Sequence, residues 1–175
     1  MIIFVPYFKV LQKEIHTHTH HTIKTTTYFC YQTMNENIIK QVKISSHIDI
    51  PVLENPVPAG FPSPVQGLPS DSIDLNRELI DHPSSTFCAR VSGNSMIDRG
   101  ISDGDLLIID KSLSPANGSV AVCFIDGEFT LKKISVREDG LYLVPANSKY
   151  PEIKVSEESN FQVWGIVTHV IKSIK

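Results

Sequence analysis

The chain has 175 residues, 41% of them hydrophobic, which is enough for one domain with its own core and a tail but not for a second large domain. Its formal net charge of −3 and its scattered lysines and arginines give no basic block of the kind that an autonomous DNA-binding protein carries. The three cysteines, Cys30, Cys88 and Cys123, are far apart and form no C-x-x-C pair, so the sequence predicts a cytoplasmic protein without a disulfide framework or a zinc site.

Residues 1–48 differ in composition from the rest of the chain. The apolar start, Met1–Phe8, has no basic residues before it and is too short for a membrane span, so it predicts neither a signal peptide nor an anchor. The histidine-rich run His16–His21 follows, without a helical or strand period long enough to build a core. We interpret residues 1–48 as a disordered leader or as the product of a mis-assigned start, with Met34 as the alternative start. An extended histidine segment that binds a transition metal is the other interpretation.

Residues 49–72 are predicted to form an extended arm, because prolines recur in them and proline favours extended backbone. The prolines are Pro51, Pro56, Pro58, Pro62, Pro64 and Pro69. Within the arm, the Ala59–Gly60 bond has small side chains on both sides, which would let a nucleophile approach closely. A plain linker is the alternative, and the local sequence by itself favours it.

A short helix is predicted at the start of the remaining segment, residues 73–175. Apolar side chains recur at helical spacing at Leu75, Leu79 and Ile80 within residues 74–82. Asp74 is placed to cap the amino end of this helix, and Pro83 ends the pattern.

After this helix the pattern changes to strands separated by turn signals such as Asp103-Gly104 and Asp126-Gly127. The predicted strands are Thr86–Ser92, Asp105–Asp110, Ser119–Ile125, Phe129–Val136, Leu141–Pro145 and Phe161–Ile171. The sequence therefore predicts a mainly β domain over residues 73–175.

The segment Ser92–Asp98 has the features of a nucleophile site. Ser95 follows Gly93 and Asn94, two residue types that tolerate the tight backbone needed to project a hydroxyl and to align neighbouring N–H groups. A serine hydroxyl is a poor nucleophile at neutral pH unless a base takes its proton. The sequence must therefore supply a base elsewhere.

Two adjacent lysines in the strand that follows residue 128 are the candidates for this base. Lys132 shares a strand face with Thr130 and Ile134, whereas Lys133 shares the other face with Leu131, so periodicity leaves both open. An exposed lysine is neutral only about once in a few thousand molecules at pH 7, but burial against apolar neighbours lowers the pKa of the amine. Either face is partly apolar, so either lysine could have its pKa lowered in this way; two solvated lysines at a strand edge are the alternative.

Four blocks of sequence together resemble the UmuD proteins, which belong to the LexA-like family of self-cleaving serine peptidases. The blocks are Ala59–Pro64, Ser92–Met96, Gly100–Asp105 and Gly127–Lys133, and the similarity extends from about Ile50 to Lys175. The resemblance implies a compact β-fold like that of LexA and signal peptidase, with an extended N-terminal arm and one short helix. UmuD proteins commonly carry a Cys-Gly bond, whereas the bond here is the Ala-Gly bond of LexA-type repressors.

The resemblance also assigns roles to individual residues. It implies that Ser95 is the nucleophile and that Lys132 is the general base, which makes Lys133 a bystander. The backbone N–H groups of Asn94 and Ser95 would stabilise the oxyanion, and the Ala59–Gly60 bond would be the site of self-cleavage. A dyad of this kind needs no metal and no cofactor, and no catalytic histidine or aspartate.

The partners implied by the resemblance are all macromolecules. They are a second copy of the chain in a homodimer, a RecA filament on single-stranded DNA that stimulates cleavage, and a UmuC-type polymerase subunit that the shortened product joins. The product would then be an accessory subunit of an error-prone translesion DNA polymerase in the SOS response. Neither direct, specific DNA binding nor membrane association is expected.

Three other functions compete with this one. A LexA-type repressor needs an N-terminal helix-turn-helix, and residues 1–48 show no pair of amphipathic helices. A membrane-bound signal peptidase needs an apolar anchor of about twenty residues, and the sequence contains no such run. A non-catalytic binding module would carry Ser95 and Lys132 as vestiges, and Ser95→Ala would then leave its fragment pattern unchanged.

Overall fold

The computed structural model describes residues 39–44, 49–52, 59–60 and 71–174. Most of the predicted leader lies outside these residues. The histidine-rich run His16–His21, for which metal binding was one interpretation, is also outside them. No helix in the described ranges has the length and the apolar composition needed to cross a bilayer.

The described residues form mostly β-strands, with one short α-helix and one turn of 3-10 helix. The strands are β1 (Ile39–Gln41), β2 (Asp49–Val52), β3 (Asp71–Asp74), β4 (Thr86–Arg90), β5 (Leu106–Asp110), β6 (Val120–Ile125), β7 (Glu128–Arg137), β8 (Gly140–Val144), β9 (Ile153–Val155) and β10 (Phe161–Ile171). The α-helix, α1, spans Leu75–Leu79, and the 3-10 helix spans Ile97–Arg99.

Eight of these strands form one antiparallel sheet in the order β1-β4-β5-β10-β6-β7-β8-β9, and β2 pairs with β3 in a separate two-stranded sheet. Strand β10 is central, because it pairs with β5 on one side and with β6 on the other. The predicted fold class, mainly β with one short helix, is confirmed.

The predicted elements of the domain agree closely with the observed ones. The six predicted strands correspond to β4, β5, β6, β7, β8 and β10, with small differences at their ends. Helix α1 is capped as predicted, because the Asp74 side chain accepts a hydrogen bond from the Asn76 N–H at 3.0 Å. The helix ends at Leu79, before the predicted end at residue 82, because the Ile80 backbone is already extended.

Four strands were not predicted. Strand β1 lies within the predicted leader and pairs with β4, where Ile39 lies opposite Ala89. Strand β2 lies in the predicted arm and pairs with β3, where Ile50 lies opposite Ile73. The four unpredicted strands, β1, β2, β3 and β9, have three or four residues each, too few for an alternating pattern to be recognised. Backbone pairing with a distant strand, and not local sequence, defines them.

One cluster of the hydrophobic core is built from β6, β7, β8, β9 and β10. Its buried members are Ala121, Cys123, Ile134, Leu141, Leu143, Val155 and Ile166. A further aromatic contact joins Phe87 of β4 to Trp164 of β10, with ring centroids 5.1 Å apart and edge-to-face geometry. In β7 the side chain of Lys132 is buried beside this core, whereas Lys133 is only half-buried. Of the two lysines that periodicity left open as the base, the structure therefore buries Lys132.

Candidate active site

Ser95 lies in a tight loop between β4 and the 3-10 helix. The loop needs a glycine at Gly93, because the φ angle there is +91°, a region that side chains with a Cβ rarely adopt. Met96, the next residue after Ser95, is 1% exposed and fixes the loop in the core. The Met96 carbonyl accepts hydrogen bonds from the N–H groups of Arg99 and Ile101 at 3.0 and 3.3 Å. Ser95 is therefore held by a buried anchor on its carboxyl side.

The acidic turn Ile101–Asp105 holds the same loop on the amino side of Ser95. The Asp103 carboxylate accepts a hydrogen bond from the Gly93 N–H at 2.7 Å, and the Asn94 side-chain oxygen accepts one from the Asp103 N–H at 3.4 Å. These two bonds join the loop and the turn reciprocally. The turn was identified in the sequence, but its role as a support for the serine loop was not.

Lys132 approaches Ser95 from β7. Its Nζ lies 3.2 Å from the Ser95 Oγ, 2.8 Å from the Thr130 Oγ1 and 3.1 Å from the Leu131 carbonyl oxygen. The Lys132 residue is only 7% exposed. The structure therefore brings together the serine and the lysine that the sequence singled out, although they are 37 positions apart in the chain.

The surroundings of Lys132 favour its neutral form. Burial lowers the pKa of the Lys132 amine below its ordinary value of 10.5. The nearby Cys123 raises the pKa of Lys132 by less than burial lowers it. The Cys123 thiol is itself buried, which raises its own pKa to about 12, so it is uncharged near neutral pH. Among the described residues, no carboxylate forms an ion pair with Lys132.

The three contacts of Lys132 suit both protonation states of the amine. An ammonium has three N–H groups and donates to all three oxygens, whereas a neutral amine has two N–H groups and one lone pair. In the neutral state, the two N–H groups donate to Thr130 Oγ1 and the Leu131 carbonyl, and the lone pair accepts from the Ser95 hydroxyl. This arrangement can remove a proton from Ser95.

The backbone N–H groups beside Ser95 are available to bind an anion. The N–H groups of Asn94 and Ser95 donate to no residue in the described part of the chain, and neither does that of Met96. Asn94 is exposed and Ser95 is half-buried. The residues predicted to stabilise an oxyanion therefore have N–H groups that are not used for other contacts within the described ranges.

The predicted cleavage bond, Ala59–Gly60, is solvent-exposed in this structure. Ala59 and Gly60 are both exposed, and a Cβ built on Gly60 would have no atom within 4 Å apart from its chain neighbours. Among the described residues, no hydrogen bond joins this bond to Ser95 or Lys132. The bond lies between β2 and β3, in the segment that connects residues 52 and 71.

His82 forms a hydrogen bond with a carboxylate that superficially resembles part of a catalytic triad. Its Nδ1 lies 2.6 Å from the Asp110 carboxylate. Burial raises the pKa of Asp110, but hydrogen bonds from Ser112, His82 and Ser85 have the larger effect and lower it from 3.8 to about 2. The hydroxyls of Ser85 and Ser112 donate to Asp110 and not to the His82 ring. The pair therefore supports the turn before β4 and has no described nucleophile.

Two residues of the site were not identified from the sequence. Thr130 was placed on the same strand face as Lys132, which was the signal available for it, but its contact with the amine was not predicted. Asn147 lies in the loop after β8, and its Nδ2 donates to the Asn94 carbonyl at 2.8 Å, across 53 positions of sequence. No local pattern marks that contact.

The comparison with known families agrees with this geometry. Residues 51–168 match the Peptidase S24-like family, so the chain belongs to that family of serine peptidases. It is 37% identical over 137 residues to protein MucA of Escherichia coli, which covers 78% of this chain and 93% of MucA. It is 38% identical to protein ImpA of Shigella flexneri, in an alignment that covers 69% of this chain and 82% of ImpA. It is 36% identical to protein SamA of Salmonella typhimurium, in an alignment that covers 69% of this chain and 84% of SamA. The predicted resemblance to UmuD-type proteins is confirmed.

Proposed function

We propose that this chain is a self-cleaving serine peptidase that cuts its own Ala59–Gly60 bond, with Ser95 as nucleophile and Lys132 as general base. The observation that carries the proposal is the 3.2 Å contact between the Lys132 Nζ and the Ser95 Oγ at a buried position where the amine loses its proton more easily. Membership of the Peptidase S24-like family supports the same chemistry.

The proposed reaction has two stages. Neutral Lys132 takes the proton of the Ser95 hydroxyl, and the Ser95 Oγ attacks the Ala59 carbonyl carbon, while the N–H groups of Asn94 and Ser95 stabilise the oxyanion. The C–N bond to Gly60 then breaks, and the Lys132 ammonium returns the proton to the departing Gly60 amine. Water, activated by the same lysine, hydrolyses the acyl-enzyme and frees the new carboxyl group of Ala59.

The exposed position of Ala59 and Gly60 gives the reaction a second requirement. The bond must be brought to Ser95 before cleavage, so a partner that binds the intact chain and favours the docked arrangement would increase the rate. A RecA filament on single-stranded DNA is the proposed partner for this step. The homodimer, the UmuC-type polymerase subunit and the role in SOS mutagenesis are part of the same proposal, and family membership supports them.

The decisive experiment is mass spectrometry of the purified chain, incubated at pH 7 and at pH 10 and with and without a RecA filament. We expect a new fragment that begins at Gly60, and it should form faster at pH 10 because more of Lys132 is neutral there. Ser95→Ala and Lys132→Ala should abolish it. Lys133→Ala is the matched control, because Lys133 is the next residue on the same strand, and it should cut like the wild type.

Two results would overturn the proposal. The first is a wild-type chain that stays intact under every condition, which would favour a binding role without catalysis. The second is a Ser95→Ala or Lys132→Ala chain that cuts as fast as the wild type, which would exclude the dyad.

A further inference from the structure

The loop after β8 contacts both peptide groups that flank the nucleophile. The Ala146 N–H donates to the Ser95 carbonyl at 2.8 Å, and the Asn147 side-chain Nδ2 donates to the Asn94 carbonyl at 2.8 Å. The Ala146 carbonyl in turn accepts from the Asp98 N–H at 2.9 Å. One short segment thus fixes the serine residue on both sides, once through backbone and once through a side chain.

The contact from Asn147 determines where the Ser95 N–H points. The Asn94 carbonyl and the Ser95 N–H belong to the same planar peptide group, and in a trans peptide they point in opposite directions. Fixing the carbonyl on one side therefore fixes the N–H on the other. That N–H is one of the two proposed oxyanion donors, and it donates to no residue in the described ranges.

Asn147 is itself held in a defined orientation. Its side-chain Oδ1 accepts from the Lys149 N–H at 3.0 Å, and its carbonyl accepts from the Tyr150 N–H at 3.1 Å. Because the oxygen of the amide is used by the turn, the amide nitrogen is the atom that faces Asn94. A side chain with the same shape but no donor would keep the turn and lose the contact with Asn94.

We propose that Asn147 is a positioning residue that orients the Ser95 N–H toward the oxyanion formed during cleavage. The inference rests on the proposed self-cleavage. Asn147 does not touch the reacting atoms in this arrangement, and it acts through the Asn94–Ser95 peptide. Its loss should slow the chemical step without changing the proton affinity of Lys132, since Asn147 and Lys132 share no contact.

The test compares Asn147→Asp with the wild type and with Asn117→Asp. The Asn147→Asp substitution keeps an acceptor for Lys149 but places an oxygen against the Asn94 carbonyl. We expect the maximal rate of self-cleavage to fall by about 100-fold, the usual cost of a lost or misplaced oxyanion donor. The melting temperature should match the wild type. Because Asn147→Asp adds a negative charge near the site, the midpoint of the pH–rate profile is compared in the uncharged variant Asn147→Ser, where it should match the wild type. The Asn117 side-chain oxygen also accepts a hydrogen bond from a backbone group, the Val136 N–H, at 3.0 Å. Among the described residues, Asn117 makes no such bond to the serine loop, so Asn117→Asp should cut normally.

Each outcome has one meaning. Normal cleavage by Asn147→Asp overturns the positioning role while the self-cleavage itself stands, provided that the wild type and Asn117→Asp cut. A slower Asn147→Asp whose melting temperature has fallen while that of Asn117→Asp has not also overturns it, and so does an Asn147→Ser whose pH midpoint has moved. Asn147→Ser, which restores a short donor, should recover part of the rate. If the wild type does not cut, the proposed self-cleavage fails first.

Discussion

At the scale of single residues, the burial of Lys132 has opposite effects on catalysis and on stability. Burial among core residues leaves more of the amine neutral near neutral pH, and so able to act as a general base, because the charged form is poorly solvated there. The same burial makes the folded state less stable wherever the amine is charged, since the charge is well hydrated in the unfolded chain. The contacts with Thr130 and Leu131 offset part of this cost.

A pH-dependent stability follows from this burial. Between the folded pKa of Lys132 and 10.5, the unfolded chain binds more protons than the folded chain, so the free energy of unfolding should rise with pH across that window. Below the window both states are protonated and the full penalty remains. Urea unfolding at pH 7 and pH 10 measures this effect, in a Ser95→Ala background that prevents cleavage.

The control variants isolate the effect of the one lysine. Lys132→Met in the Ser95→Ala background should lose the rise in stability, because the apolar side chain has no proton to release. Lys133→Met in the same background should keep it, since Lys133 is less buried on the adjacent position of β7. An equal pH dependence in both variants would show that burial of Lys132 is not the cause.

At the scale of elements, β10 joins the two parts of the sheet on which the site depends. The serine loop follows β4, which is linked to β10 through β5, whereas Lys132 lies on β7, which is linked to β10 through β6. Strand β10 has irregular register near Gly165, and this residue lies against β5. The spacing between the serine and the lysine therefore depends on close packing at β10.

Gly165→Ala should disturb this packing directly. A Cβ at Gly165 would lie 2.6 Å from the Ile109 Cγ2 and 3.3 Å from the Asp110 carbonyl oxygen, and Ile109 is fully buried. We expect a loss of about 1–3 kcal/mol in the free energy of unfolding, the usual cost of overpacking a core, measured by urea denaturation.

A second variant tests whether that contact is the reason. Leucine has no Cγ2 methyl branch, so adding Ile109→Leu to Gly165→Ala should recover part of the lost stability. Gly60→Ala is the matched control, because a Cβ there meets no atom within 4 Å, and its stability should be unchanged. A Gly165→Ala chain as stable as the control would contradict the overpacking argument.

At the scale of the whole molecule, the described residues before the proposed cleavage site contribute two strands to the fold. Strand β1 pairs with β4 at the edge of the large sheet, and β2 pairs with β3. Cleavage between Ala59 and Gly60 would place β1 and β2 on a separate fragment. Among the described residues, these two short ladders, of three and four residue pairs, would then hold it. Two hydrogen bonds, from Gln41 Nε2 to the Ser84 carbonyl and from the Val42 N–H to the Thr86 carbonyl, both at 3.2 Å, add to them.

We expect the upstream fragment to dissociate at micromolar concentration after cleavage. Short two-stranded pairings are marginal in water, and cleavage removes the high effective concentration that the intact chain gives them. The outer edge of β4, Thr86–Arg90, should then lose protection. Amide hydrogen exchange of cleaved chain against the Ser95→Ala chain measures this, with β7 as an internal control because it stays paired on both sides. Unchanged exchange in β4 and co-elution of the fragment would contradict the expectation.

The sequence by itself determined the elements whose cause is local. Alternation and turn residues located six strands, Asp74 located the start of α1, and Gly93 with Asn94 marked the loop of Ser95. These features follow from side chains a few positions apart, which is the distance over which patterns are readable. The resemblance to UmuD-type proteins added Lys132 over Lys133.

The tertiary structure decided what depends on residues far apart in the chain. It buried Lys132 and not Lys133, placed the lysine 3.2 Å from Ser95, and brought Asn147 to the Asn94 carbonyl. It also paired β1 with β4 through backbone bonds that place no demand on side-chain pattern. Contacts of this kind arise when strands from distant positions become neighbours in one sheet, and no local period records which strands those will be.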